Sequence, residues 1–363
     1  MSDDSSVNRR AFLTGRALQA EAGRAGDALA DDLLGDQQSA APSAGSTVRL
    51  TTRAMACEFA VILNPGPGEQ VMAASDALDL VHVLEDQMSV YREGSELSSI
   101  NRRAAGEPVE VESRLFDLLD EARRVCEATD GAFDPTSGPL IALWSDCRQQ
   151  ARIPTDAEIA GALQRTGIEG LLFDADKRTV QYKRPGVELN LGGIGKGYAL
   201  DRAGSLLNDR GYSDWLVHGG HSSLLASGDH QGRGGWPVGI RNPLFPNTRL
   251  ATILLRDQAL SSSGSGVQSF RHDGRRYGHI LDPRSGWPVE NMLSVTVVAP
   301  TAAQADALST AFFVLGVEKA RAYCDNSAGV GALLIPPPRR GRTLEPINCG
   351  LPDEVLFYPA DET

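Results

Sequence analysis

Three short stretches of this chain carry residue types that could act together on a phosphorylated substrate. "LNLGGIGKGYALD", Leu189 to Asp201, packs Gly192, Gly193, Gly195 and Gly197 around Lys196, after an apolar run and before a helix-like one. Absent side chains let a bulky anion approach the backbone, and free amides at a helix start, with one cation, complement its charge. The same glycines would also serve plain tight packing of strand on helix. "ADALSTAFF" sets Asp306 and Thr310 four residues apart. On a helix they share one face, and their oxygens suit a hard cation such as Mg²⁺, although Asp and Thr on an exposed face are commonplace. "HILDPRSGWPV" offers His279 for acid–base work beside Asp282 and Arg284, while Asp-Pro and Ser-Gly are also ordinary turn chemistry.

The common nucleotide motifs are absent. With Gly195-Lys196 closing a Walker A loop, Asn190 stands where its first glycine belongs and Gly197 where Ser or Thr belongs. A G-x-G-x-x-G count from Gly193 ends on Tyr198. Any phosphate site is therefore a different use of the same physics. Tyr91, before a polar loop, could stack on a base or simply pack. Phe133 and Asp134 lie in a loop past a helix. His218 and His221 flank a glycine pair without the third ligand a zinc site needs.

Stepping outward from these residues, the elements that must hold them alternate in type. Thr47 to Asn64 reads as strand, break, strand, and Glu69 to Tyr91 as an amphipathic helix. Ser113 is placed to cap a second helix that stops before Gly131. Asp156 to Gly167 reads as a short helix, and Gly170 to Leu191 as strand, turn, strand, strand. A helix runs from the glycine cluster to Gly211, followed by short strands between Asp214 and Pro243. Thr248 to Ser265 reads as a strand and then a serine-rich loop. Leu293 to Pro300 is a β-branched strand, and Thr301 with Gln304 opens a helix that ends at Gly316. Strands that follow one another directly imply an α+β fold with mixed, largely antiparallel sheets packed with helices.

The chain has 363 residues and a net charge of −12. That balance sets nucleic acid aside as a partner. No run reaches the ~18 apolar residues of a membrane-spanning helix. The odd, scattered cysteines (Cys57, Cys126, Cys147, Cys324 and Cys349) read as reduced thiols. Residues 1–46 read as a disordered or loosely attached extension, and 47–363 as one domain. "NRRAFLTG", with Arg9 and Arg10, resembles a twin-arginine export signal. Arg16, Glu21, Arg24 and Asp27 then interrupt the place of an apolar h-region, which favours a cytoplasmic protein over an exported one.

Taken in order, "MSVYREGSELSSIN", "GAFDPTSGPLIALW", "LNLGGIGKGYALD", "HILDPRSGWPV" and "SVTVVAPTAAQADALSTAFFVLG" resemble the ApbE family of FAD:protein FMN transferases, over about Leu50 to Pro336. The resemblance implies Mg²⁺-dependent cleavage of FAD. It implies attachment of the FMN half, through a phosphodiester, to Thr or Ser of an acceptor flavoprotein, with release of AMP. Hydrolysis of FAD to FMN and AMP, and flavin binding without catalysis, are the alternatives. By position, Met55 and Tyr91 match residues at the adenine end. Ala132, Phe133 and Asp134 match the loop that holds the nucleotide, and Lys196 and Ile280 match further FAD contacts. Asn190 falls among the flavin-binding positions, where the family usually has an acidic residue. Gly193 matches the position whose carbonyl binds the metal, with Asp306 and Thr310 as side-chain ligands, and His279 matches the acid–base histidine. "HGGHSS" replaces the usual Asn-Gly-Gly-Asp pattern, and "MACEF" stands where "MGT" is common.

Overall fold

The alternation between Thr47 and Asn64 folds into β1 (Val48–Ala54) and β2 (Cys57–Leu63). They pair antiparallel with Ala54 opposite Cys57, so Met55 and Ala56 make the whole turn, at φ 48° and 59°. Two successive left-handed residues give the turn whose twist matches a hairpin, here without glycine. The computed structural model describes residues 46–359 apart from 267 and 268. The expected extension, all but its last residue, and its Arg9-Arg10 pair lie outside the described residues.

The chain continues through α1 (Glu69–Met88), α2 (Glu96–Arg103), β3 (Val109–Glu110), α3 (Ser113–Ala128), α4 (Gly138–Gln149), α5 (Asp156–Leu163), β4 (Leu171–Asp174), β5 (Thr179–Tyr182) and α6 (Gly195–Asp209). Then come β6 (Trp215–Gly219), β7 (Ser223–Ser227), β8 (Trp236–Arg241), β9 (Arg249–Leu255), β10 (Gln258–Gly264), β11 (Ser269–His272), β12 (Arg275–Gly278) and β13 (Ser294–Ala299). The described chain closes with α7 (Ala302–Leu315), α8 (Val317–Asp325), β14 (Gly331–Ile335), β15 (Ile347–Cys349) and β16 (Leu356–Phe357).

The central sheet has eight strands in the order β1-β2-β6-β7-β10-β13-β14-β15, every neighbouring pair antiparallel. Both of its faces are buried. Phe59, Val61, Trp215, Val217, Val295 and Val297 pack with α1, α6 and α7 in the main core. Ile62, Leu216, Leu260 and Val298 pack against the small sheet β16-β9-β8, around Trp236 and Ile253. This is the α+β arrangement the strand order implied. A third sheet, β3-β5-β4, lies by α3, with Phe116 and Phe173 in edge contact at 6.0 Å.

Three local expectations are corrected. Glu112, not Ser113, caps α3, its carboxylate accepting the Arg114 and Leu115 amides. An acidic group one residue earlier reaches the same orphan donors and also meets the helix dipole. Val187–Leu191 is not a strand: Glu188 makes a single parallel bridge to Ser137. There the Asn101 amide group occupies both backbone partners of Leu189, at 2.9 Å each. The serine-rich loop is instead strand β10, paired on both sides. Its hydroxyls find partners inside the sheet and on α7, such as Ser262 with Thr296 and Ser263 with Ser309, each at 2.8 Å, which removes the cost of burying them.

Candidate metal and nucleotide site

The site grows from two crossing helices. The first turn of α6 carries Lys196 and Gly197, and the first turns of α7 carry Ala302, Ala303 and Asp306. Each helix start is capped by the other helix's carboxylate. Asp201 of α6 accepts the Ala302 and Ala303 amides at 2.8 and 2.9 Å. Asp306 of α7 accepts the Gly197 amide on Oδ2 at 2.7 Å. Reciprocal capping satisfies orphan N–H groups on both helices and fixes their crossing. Only glycine fits at position 197, because a Cβ there would run into the Ala302 carbonyl and stand 2.6 Å from the Ala303 nitrogen. Burial pushes the Asp201 carboxyl up to about 7, against the pull of the two amides it accepts.

The Asp306 carboxylate is buried and held on every side. Its Oδ1 accepts the hydroxyls of Ser223 at 2.5 Å and Ser261 at 2.6 Å. Lys196 Nζ lies 3.7 Å from Oδ2. Thr310, one turn on, is half-buried on the same helix face and approaches the glycine loop. A Cβ on Gly193 would sit 3.6 Å from Thr310 Oγ1 and 3.1 Å from the Phe133 ring. The loop keeps its shape through Asn190, whose side-chain oxygen accepts the Gly192 amide at 2.8 Å. Its own amide bonds the Pro135 carbonyl at 2.7 Å, tying the glycine loop to the Phe133 loop.

A carboxylate, a hydroxyl and a bare peptide carbonyl are all hard oxygen donors, the set Mg²⁺ takes. The space that a Cβ at Gly193 would fill separates Phe133 from Thr310. The residues present therefore fit such an ion, with Asp306, Thr310 and the Gly193 carbonyl as the group that would hold it.

Asn190, Gly193, Lys196, Asp306, Thr310 and Phe133 are thus brought together. Ala132 and Ile280 are buried in the main core, and Met55 packs half-buried against it. Asp134 is also buried, but its Oδ1 accepts the Thr136 amide and hydroxyl, both at 2.7 Å, and burial pushes its carboxyl up. Tyr91 is 87% exposed, and none of the contacts around Asp306 involves it. His279 is exposed at the end of β12, where the Asp282 turn follows, Arg284 being paired to Asp282 at 2.8 Å.

Sequence reasoning missed Asp201, Ser223, Ser261 and Asn101. Asp201 lies inside the glycine-cluster motif, yet its partners are a hundred residues downstream. Ser261 had a signal only once β10 is read as a strand, which turns alternate serines toward α7. Cys57 sits near Lys196 and Asp306, and burial pushes its thiol up to about 11. All five cysteines are free. The rings of His218 and His221 lie 6.4 Å apart, with no third metal-ligating side chain grouped with them among the described residues. No described helix is long and apolar enough to cross a membrane.

This fold is that of flavin transferase structures. The structure of the ApbE protein from Thermotoga maritima superposes with a TM-score of 0.74 at 32% identity, over 83% of this chain and 96% of that one. The flavin transferase ApbE from Vibrio cholerae superposes with a TM-score of 0.73 at 28% identity, over 84% and 97%. In sequence, the FAD:protein FMN transferase of Klebsiella pneumoniae (strain 342) is 32% identical over 79% of this chain and 88% of its own length. That of Treponema pallidum (strain Nichols) is 34% identical over 81% and 84%. The ApbE family model matches residues 45–334. The chain belongs to the ApbE family.

Proposed function

We propose that this chain is an FAD:protein FMN transferase. It cleaves FAD with Mg²⁺ and joins the FMN phosphate to a Thr or Ser hydroxyl of an acceptor flavoprotein, releasing AMP. The observation that carries the reading is the buried Asp306 carboxylate, in line with Thr310 and facing the Gly193 loop, with Lys196 as the adjoining cation. Ser223, Ser261, the Gly197 amide and Lys196 offset the cost of burying this carboxylate and fix where its oxygens stand.

Phe133 and the Gly193 loop, tied through Asn190 and Pro135, wall the space in which the pyrophosphate lies. Lys196 balances charge between Asp306 and the phosphates. Asp306, Thr310 and the Gly193 carbonyl would hold Mg²⁺, which would supply neutralisation of the charge that builds on the phosphate oxygens. His279, exposed just past the end of β12, takes the acceptor hydroxyl's proton on a ring nitrogen as that oxygen bonds the FMN phosphorus. The bond from this phosphorus to the bridging oxygen breaks, and AMP leaves with that oxygen. The proton passes from His279 to the leaving phosphate or to water. The exposure of His279 suits an acceptor that is another protein.

The test is a product assay with FAD and Mg²⁺, with and without an FMN-binding domain bearing a Thr. Covalent FMN on that domain is the expected result. Free FMN and AMP, independent of the domain, would make water the acceptor, and intact bound FAD would make the chain a carrier. Asp306→Ala abolishes turnover. Normal turnover by that variant at ordinary Mg²⁺ concentration would remove the metal site from the mechanism.

A further inference from the structure

We infer that the outward face of the β11–β12 hairpin is the docking surface for the acceptor protein, which it holds through acidic residues flanking the attachment Thr or Ser. The inference rests on the transferase reading and supplies the kind of partner that reading leaves open.

The hairpin's inward face is anchored. Phe270 and Tyr277 stack at 5.5 Å, and Trp144 of α4 lies 5.8 Å from Tyr277. His272 Nδ1 is 3.1 Å from the Ala151 carbonyl. The outward face is different. Strand alternation turns Arg271 and Arg276 out together, and the register places them directly opposite each other. Both are exposed. Like charges facing across a strand pair repel, and nothing in folding the hairpin requires the arrangement. Arg276 is positioned by donating to Ser269 Oγ at 2.8 Å. Arg271 has no ion-pair partner among the described residues. The one acidic residue of the hairpin, Asp273, lies by His272, at 3.4 Å.

A cationic face of this kind on a chain of net charge −12 is a local exception. An acidic partner is repelled by the protein as a whole and attracted here, which selects both place and orientation. The opposite, anchored face borders a hollow of about 180 Å³ lined by Arg275, Tyr277, Trp287, Pro288 and Glu290, where Arg275 stands 5.4 Å over the Tyr277 ring and pairs with Glu290 at 3.0 Å, so that third arginine is not part of the outward pair. The strand β12 ends at Gly278 and the next residue is His279. A segment bound on the hairpin is therefore delivered beside the acid–base group. None of the contacts that hold Asp306, Lys196 and Gly193 comes from the hairpin, so the arginine pair is not part of the cation cluster.

The experiment measures anisotropy of a labelled 15-residue peptide with a central Thr flanked by Asp and Glu. Its counterpart carries Asn and Gln in their place. Both are titrated with the full chain without FAD. The acidic peptide binds and the amide peptide does not, binding weakens with added NaCl, and Arg271→Glu weakens it roughly tenfold. Arg271→Gln gives an intermediate loss, and FAD affinity, read by flavin fluorescence, is unchanged in both variants. Equal binding of the two peptides, or wild-type binding by Arg271→Glu, overturns the docking surface. A fall in FAD affinity matching the fall in peptide affinity also overturns it and assigns the arginines to the nucleotide. Peptide binding that persists while no domain is ever flavinylated by the wild type would refute the transferase reading alone.

Discussion

Gly197→Ala sets two physical effects against each other at the point where α6 and α7 cross. Helix propensity favours the change: alanine in a helix interior is worth about 1 kcal/mol over glycine. Packing opposes it. The new methyl would stand 2.6 Å from the Ala303 nitrogen and closer still to the Ala302 carbonyl, and both are backbone atoms that cannot rotate away. The helices must part, at an overpacking cost of about 1–3 kcal/mol. Parting them also stretches the Gly197 amide bond to Asp306 and the two amide bonds to Asp201. A hydrogen bond to a charged group is worth about 1.5–3 kcal/mol, and a lost cap about 1 kcal/mol. Against about 1 kcal/mol of propensity, the net is a destabilisation of about 3 kcal/mol, a fall in Tm on the order of 5 °C. Calorimetry reads the stability, and Mn²⁺ binding by electron paramagnetic resonance reads the cation site in the same samples. The variant melts lower and binds the ion more weakly. A Tm equal to or above wild type would show that propensity governs this crossing and that reciprocal capping is not what fixes Asp306.

Two further outcomes follow from positions outside the cation site. His218 is buried, its Nε2 without a hydrogen-bond partner among the described residues, and burial pulls its pKa from 6.5 down to about 4. Between those values the unfolded chain carries a proton on this ring and the folded chain does not, so stability falls as pH falls, by about 3 kcal/mol in all. Urea midpoints from pH 7 to pH 4 decline more steeply for wild type than for His218→Gln, and parallel lines would discard the reading. Ala56 occupies a left-handed turn position at φ 59°. Ala56→Gly removes about 1–2 kcal/mol of strain and adds about 0.4–1 kcal/mol of unfolded-state entropy. The variant gains roughly 0.5 kcal/mol in urea denaturation, and a loss of stability would contradict the strain argument.

Much of the fold was legible because burial imposes period. Both faces of the central sheet are covered, so β6 and β13 read as strands rich in apolar and β-branched residues, and the cap at Thr301 marks where α7 begins. Asp306 and Thr310 fall on one helix face by spacing alone. Polar strands escaped the same reasoning: β10 carries Ser261, Ser262 and Ser263, and serine runs in isolation look like loop. Its strand state depends on β7, β13 and α7, which supply the partners of one buried and two half-buried hydroxyls.

The sequence by itself determined the long amphipathic helices and the apolar strands, the order of the chemical groups along the chain, and the helical face on which two hard oxygen ligands stand, because these depend on neighbours within a few residues. Tertiary structure alone decided that Asp201 and Asp306 cap each other's helices, that Ser223 and Ser261 converge on one carboxylate oxygen, and that two arginines confront each other on a hairpin. Those contacts join residues tens to more than a hundred positions apart, or depend on a strand register, and no local pattern encodes a distance across the fold.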